Sequence, residues 1–369
     1  MDFVRNEAQE ELAALSRRIL DGVTPERLHE AEAAGGFDAA LWADLAGSGV
    51  LAAALPESAG GAGLGLLEQC TVLAELGRAV APVPYLASIV LGAGAVAAFG
   101  TAEQQRRWAE PAGRGEVTLT AALAEEDGDD PRAPAVSAQH AGGRWRLSGV
   151  KTTVPAGTRA DLILVPAATA DGVAVFLVEP GDSGVRVTRQ QLTGGPAARV
   201  ELDDADLPGD RVLGDAAAGA EITAWLAARA TVGLCALQAG VTERALELTA
   251  AYARSREQFG KPIGGFQAVA QRLADAYIDV EAIRLTMWQA AWRLSAGLPA
   301  DTEIAIAKFW AADAGHRVAH TAVHVHGGMG VDVSYPLHRY FTAATDNEFT
   351  LGGATTQLRR IGAALARST

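Results

Sequence analysis

Up to about residue 115, apolar residues recur three and four positions apart. Glu7-Ala-Gln-Glu-Glu-Leu-Ala-Ala-Leu-Ser-Arg-Arg-Ile-Leu20 carries one apolar stripe, as a half-buried helix requires. The same spacing predicts helices over 37–45, 66–80, 85–99 and 102–108. Turn chemistry in Leu55-Pro-Glu-Ser-Ala-Gly-Gly-Ala-Gly-Leu64 breaks the series. From about 117 to 213 the pattern shortens. Val117-Thr-Leu-Thr-Ala-Ala-Leu123, Trp145-Arg-Leu-Ser-Gly-Val150, Leu162-Ile-Leu-Val165, Val173-Ala-Val-Phe-Leu-Val178 and Val185-Arg-Val-Thr188 are β-branched and bounded by Gly, Pro and Asp. They predict strands of a small antiparallel barrel or sandwich. From 217 onward, long helices are predicted over 217–257, 267–296 and 302–325, lengths that suit an antiparallel bundle. Three domains are therefore expected: helical 1–115, β 116–215 and a helical bundle 216–369. No internal repeat or low-complexity linker is evident.

Composition narrows the function classes. The chain has 369 residues, 49% hydrophobic and 20% charged, enough for a sizeable core. Its net charge of −13 carries no basic block, which argues against nucleic acid and anionic membrane surfaces as partners. Local arginines can still hold one phosphate of an anionic ligand. Cys70 and Cys235 are the only cysteines and form neither a disulfide framework nor a metal pattern; they read as buried thiols. Met1-Asp-Phe-Val-Arg-Asn-Glu7 has no basic region followed by an apolar run, so no signal peptide is expected. The apolar stretch 86–99 is too short to span a bilayer. A cytoplasmic protein is the expectation. His316, His320 and His324 recur at i, i+4, i+8, with His326 just beyond and His140 elsewhere. No acid or cysteine accompanies them in the sequence, so no metal site is expected.

Two stretches carry the chemistry. One is Arg254-Ser-Arg-Glu-Gln-Phe-Gly-Lys-Pro-Ile-Gly-Gly-Phe-Gln267; the other is His324-Val-His-Gly-Gly-Met-Gly-Val-Asp-Val-Ser-Tyr-Pro336. Taken alone, Arg256 reads as a solvated helix-end arginine and Gly327-Gly328 as a C-cap turn. Taken together, they resemble the flavin-binding signature of the acyl-CoA dehydrogenase family. The resemblance covers the whole chain, including Gly49-Val-Leu-Ala-Ala-Ala-Leu-Pro-Glu57, which looks like the family's first-domain loop. It implies an N-terminal all-α domain, a central β-domain and a C-terminal four-helix bundle. It also implies FAD as cofactor and an acyl-CoA thioester as substrate. An electron-transfer flavoprotein is the family's usual electron acceptor.

The resemblance assigns cofactor contacts to Arg256, Gln258 and Phe259, from Arg-x-x-Phe-Gly, and to Gly327 and Gly328, from Gly-Gly-x-Gly. His324 stands where the family usually has Gln. In the family this set reaches the FAD of the neighbouring subunit. An arginine and close backbone amides suit a pyrophosphate. The set that holds a chain's own flavin departs from the pattern. Thr-Glu-Pro-Gly-x-Gly-Ser-Asp is here Ala124-Glu-Glu-Asp-Gly-Asp-Asp-Pro131, with Ala124 for Thr and Asp130 for Ser. Lys-x-(Trp/Phe)-Ile-Thr-Asn-Gly is Lys151-Thr-Thr-Val-Pro-Ala-Gly157, with Thr153 for the aromatic and Pro155 for the Thr. Glu-Gly-Thr-Ser-Gln, on the adenosine side, is Leu351-Gly-Gly-Ala-Thr355.

The family's base takes a proton α to the thioester while hydride leaves the β-carbon for flavin N5. Counted from Tyr335-Pro336, the base position is Leu351. The alternative position, on the helix before Arg256, is Ala230. Neither accepts a proton. Glu348, about one turn before Leu351, is the nearby carboxylate and otherwise reads as a solvated turn residue. The chain thus resembles the subunit without a catalytic base in actinobacterial α2β2 heterotetramers, some of which act on steroid side-chain CoA esters. A paralogous partner would supply base and flavin site. Two alternatives remain open: a homomeric flavoenzyme with an unusual base, and a non-catalytic acyl-CoA-binding homologue.

Overall fold

Elements form where the hydrophobic period changes. The structure, a computed structural model, describes residues 3–368 apart from Asp127 and Asp129. In chain order the helices are α1 (Glu7–Leu20), α2 (Pro25–Ala33), α3 (Ala39–Gly47), α4 (Leu66–Ala79), α5 (Gly94–Phe99), α6 (Ala102–Gln104), α7 (Glu110–Gly113), α8 (Gly219–Ser255), α9 (Gln267–Ser295), α10 (Asp301–His326), α11 (Leu337–Phe349) and α12 (Ala354–Ser368). The strands are β1 (Leu119–Ala121), β2 (Ser137–Ala141), β3 (Arg144–Pro155), β4 (Leu162–Thr169), β5 (Gly172–Val178), β6 (Val185–Leu192), β7 (Gly195–Pro208), β8 (Glu257–Gln258) and β9 (Lys261–Pro262). A π-helical turn, Tyr85–Ala93, runs into α5.

Two compact units share the chain. One comprises Glu30–Gly65 and Pro82–Ala230; the other comprises the chain up to His29, Leu66–Ala81 and everything from Thr231 on. The first is organised by a seven-stranded sheet of order β1-β4-β2-β3-β7-β6, with β5 on β4. Most pairings are antiparallel, but β4 takes β1, and one residue of β2, in parallel. Its core gathers Leu147, Val154, Ile163, Val165, Phe176, Val200 and Leu207. Burial is continuous along most of β4 and β5, as their unbroken apolar runs require, whereas β6 mixes half-buried and exposed residues. Bulges interrupt the β3–β7 register between Leu147 and Gly149 and between Lys151 and Val154.

The second unit is helical. Asn6 and Gln9 close a capping box on α1. α1 is tied to α4 through the buried Glu75, whose Oε1 lies 2.7 Å from Arg17 Nη2. α4 and α8 approach at glycines: a Cβ on Gly240 would stand 1.9 Å from Ala74 O, and one on Gly77 2.2 Å from Leu237 O. Only glycine permits that spacing. α8 is long and apolar enough to cross a membrane by composition, yet 56% of its most apolar window is buried within the fold. Arg317 on α10 grips Asp279 on α9 through two hydrogen bonds, at 2.6 and 2.9 Å. Beneath the end of α11, buried Lys308 donates to Asn347 O at 2.8 Å and Glu348 O at 3.0 Å. Gln238 joins the same network, donating to Ala311 O and Ala344 O and accepting from Asn347 Nδ2.

Candidate functional site

α8 delivers Arg256 at its C-terminal end, where the Arg256 amide still donates to Tyr252 O at 2.8 Å. The chain then turns through the β8–β9 hairpin. Its two turn residues, Phe259 (φ 54°) and Gly260 (φ 77°), both have positive φ, as a two-residue hairpin turn twisted like its strands demands. A phenylalanine in that region is strained by about 1–3 kcal/mol, and strain of this kind gathers at functional sites. Phe259 is 94% exposed, and its ring meets Phe266 edge-on at 6.1 Å. Arg256 and Gln258 are exposed as well, and Arg256 makes no ion pair among the described residues.

The second stretch closes α10. Gly327 (φ 61°, ψ −138°) caps it, donating to His324 O and Val323 O. That conformation belongs to glycine. A Cβ at Gly327 or Gly328 would meet nothing within 4 Å, so the backbone presents an open cradle. His324 is exposed beside it. The two stretches meet through side chains that motif matching passes over. His326 is buried and stacks on Tyr252 (4.3 Å, 25°). Its Nδ1 lies 2.8 Å from Ala322 O, and its Nε2 3.2 Å from the Tyr335 hydroxyl. A carbonyl can only accept, so Nδ1 carries the proton and Nε2 accepts from Tyr335. Burial pushes the His326 pKa down, which keeps this neutral form.

The segments resembling the own-flavin set are arranged differently. Lys151, almost wholly buried, pairs with Glu125 at 2.6 Å. Glu125 also accepts the amides of Ala135 and Val136. Thr152 N donates to Ala124 O. Thr153 sits in the β3 bulge at φ 48°, and its amide is taken by Gln190 Oε1 at 2.8 Å. The Pro155 carbonyl accepts from Thr120 Oγ1 at 2.6 Å. Asp130 pairs with Arg132 at 2.9 Å; Asp127 and Asp129 of this loop lie outside the described residues. From Lys151 to Pro155 these polar groups are thus spent inside the chain. The Arg256–Gly328 set fits a pyrophosphate: free positive charge and an open glycine backbone. The Ala124–Pro155 set matches a flavin ring poorly: the hydroxyl at 124, the aromatic at 153 and the hydroxyl and amide donor at 155 that the family pattern places there are missing, and Thr152 and Thr153 keep the hydroxyls of this stretch.

At the two base positions, Ala230 is buried in α8 and Leu351 is half-buried just past α11. Leu351 has φ 60°, and its carbonyl and that of Gly352 accept from Gln357 Nε2 at 3.2 and 3.0 Å. Glu348 is not a solvated turn residue. It lies in the last turn of α11, mostly buried, with Oε2 3.0 Å from His316 Nδ1 on α10. A helical partner holds it where the sequence suggests only a polar turn. The His316 and His320 rings lie 4.1 Å apart. They line, with His324, Arg272, Asp275 and Asp279, a cleft of about 750 Å³. Among the described residues no group of three His, Cys, Asp or Glu is placed to hold a metal ion.

Comparison with known proteins shows the family. Residues 6–116 match the acyl-CoA dehydrogenase N-terminal domain, and residues 218–366 the acyl-CoA dehydrogenase C-terminal domain. The chain belongs to the acyl-CoA dehydrogenase family of FAD-binding flavoproteins, oxidoreductases acting on CH–CH donors. It is 50% identical to acyl-CoA dehydrogenase FadE27 of Mycobacterium tuberculosis across all of both chains. In three dimensions it is similar to a chain of the ChsE4–ChsE5 complex from Mycobacterium tuberculosis, with TM-score 0.95, 51% identity and 99% of both chains covered. A variant of the Tcur3481–Tcur3483 steroid acyl-CoA dehydrogenase gives TM-score 0.92 at 42% identity over 98% of both chains.

Proposed function

We propose that this chain is the base-less subunit of a heteromeric acyl-CoA dehydrogenase. In this reading it completes the flavin site of a paralogous partner, in an α2β2 assembly, and the partner carries the catalytic carboxylate. One observation carries the proposal: the Arg256 side chain is exposed with no ion pair among the described residues and the Gly327-Gly328 turn has open space above it, while the Thr153 amide and the Pro155 carbonyl are taken by internal bonds. The resemblance to subunits of two named complexes supports it. The flavin, when bound, supplies the hydride acceptor. Arg256 would offset pyrophosphate charge, the Gly327-Gly328 turn would let backbone approach it, and Gln258, Phe259 and His324 would help to hold the cofactor. The steroid enzyme among the relatives supports a bulky steroid-type acyl-CoA as substrate class. Electrons would leave through an electron-transfer flavoprotein.

The first test is stoichiometric. Purified alone, the chain is expected to retain little flavin. Co-expressed with its partner, it should yield about one FAD per heterodimer, read from flavin absorbance against protein. A yellow homotetramer with one FAD per chain would reject the reading in favour of a homomeric enzyme. The second test is Arg256→Ala in the assembled complex. A charge-assisted contact to pyrophosphate contributes roughly 1.5–3 kcal/mol, so FAD affinity is expected to fall on the order of 10- to 100-fold. An unchanged dissociation constant would remove Arg256 from the site.

A further inference from the structure

We infer that His326 is a positioning residue: it fastens the two cofactor-facing stretches into one rigid half-site already formed in the lone chain. This rests on the proposed function. The stretches are far apart in sequence, and each alone is a mobile kind of structure, a hairpin turn and a glycine cap. Precise placement of an arginine and two glycines against one ligand needs a rigid support behind them.

His326 supplies that support from between them. Its ring stacks on Tyr252, whose carbonyl receives the Arg256 amide at 2.8 Å. Its own residue immediately precedes Gly327. Its Nε2 takes the hydroxyl proton of Tyr335 at 3.2 Å, and the two rings lie 5.2 Å apart. Tyr335 in turn anchors the further turn that follows the glycine segment, through its amide to Asp332 O at 3.0 Å and its carbonyl to His338 Nδ1 at 2.7 Å. The imidazole faces no ligand: it is 4% exposed, and both nitrogens are spent on protein. Its hydrogen bonds have fixed polarity. Nδ1–H is committed to Ala322 O, so Nε2 must accept, and the donor that meets it is the Tyr335 hydroxyl. His326 and Tyr335 therefore act as a pair, and the pair links the end of α8 to the turn after α10.

Three variants of the heteromeric complex test this: His326→Phe, which keeps the stack and deletes both ring hydrogen bonds; Tyr335→Phe, which deletes only the hydroxyl; and the double variant. FAD dissociation constants are read by flavin fluorescence, and subunit stoichiometry by native mass spectrometry. Tyr335→Phe is expected to weaken FAD about tenfold, the worth of one oriented hydrogen bond, and His326→Phe, which deletes two, at least as much. The double variant is expected to be no worse than the weaker single, because the two share one bond. Subunit stoichiometry is expected to stay intact. Unchanged FAD affinity in both singles overturns the inference, as does additive loss in the double variant. Loss of assembly in step with FAD loss also overturns it, since the role would then be general stability. Arg256→Ala run alongside separates the two levels. If it weakens FAD and His326→Phe does not, only the positioning role fails; if neither weakens FAD, the proposed function itself fails.

Discussion

Neither Leu351→Glu nor Ala230→Glu is expected to give this chain, purified without a partner, any acyl-CoA dehydrogenase turnover. A carboxylate at either position restores a proton acceptor but not the reaction. Net oxidation needs a hydride acceptor held in line with the β-carbon while the α-proton leaves. The segments resembling those that hold a flavin ring have lost the family's aromatic and two of its hydroxyls, and several of their polar groups are already taken: Thr153 N by Gln190, Pro155 O by Thr120, and Lys151 by Glu125. Misplacement of about 1 Å can cost on the order of 100-fold. Leu351 adds its own difficulty. Its φ of 60° is held by Gln357 bonding to the carbonyls of Leu351 and Gly352, so a glutamate there inherits a left-handed backbone. The assay is reduction of an artificial electron acceptor with a panel of acyl-CoA esters. Robust turnover by Leu351→Glu alone would mean that the chain's own flavin site is intact, and the heteromeric reading would fall.

Much of the fold was legible because period tracks burial. The long helices α8, α9 and α10 announce themselves, since bundle helices repeat their apolar faces over many turns. β4 and β5 do so as unbroken apolar runs. β7, the longest strand, did not. Asp203, Asp204 and Asp206 interrupt its apolar residues, and Arg144 and a bulge at Asp204 (φ 49°) absorb that polarity only in three dimensions. α11 was hidden for a related reason. Its polar end, Asp346-Asn347-Glu348, reads as a turn, yet Gln238, Lys308 and His316 supply partners from α8 and α10. The candidate site divides along the same line. Arg256, Gly327 and Gly328 could be found because backbone approach and free charge leave fixed letters. The Tyr252–His326–Tyr335 stack could not, since stacking depends on how α8 and α10 pack. Nor could sequence reveal that Gln190 takes the Thr153 amide, a contact between β6 and the β3 bulge.

Lys308→Met is expected to change how stability depends on pH. Burial pushes the Lys308 ammonium down to about 8, against the partial support of Cys235 and Glu348. In the unfolded chain the same group titrates near 10.5. Below pH 8 both states hold the proton, and the folded state carries the full cost of a buried charge. Between the two values the folded lysine has released its proton while the unfolded one has not. The unfolded state then binds more protons, so stability rises with pH across this window. The gain is on the order of 3 kcal/mol by its upper end. The neutral amine keeps two N–H groups, enough for the carbonyls of Asn347 and Glu348, so deprotonation leaves the cap of α11 in place. Cys235 works the other way. Burial pushes its thiol up to about 12, so the unfolded chain ionises first and stability falls with rising pH above the ordinary thiol value. Over pH 7.5–9.5 the folded thiol stays protonated with or without Lys308, so this contribution is common to both proteins and drops out of their difference. Urea unfolding of wild type and Lys308→Met at pH 7.5, 8.5 and 9.5 reads the effect directly. The free-energy difference, wild type minus variant, is expected to climb steadily over that range. A flat difference would mean that Lys308 titrates normally, with water reaching a site that the structure buries completely.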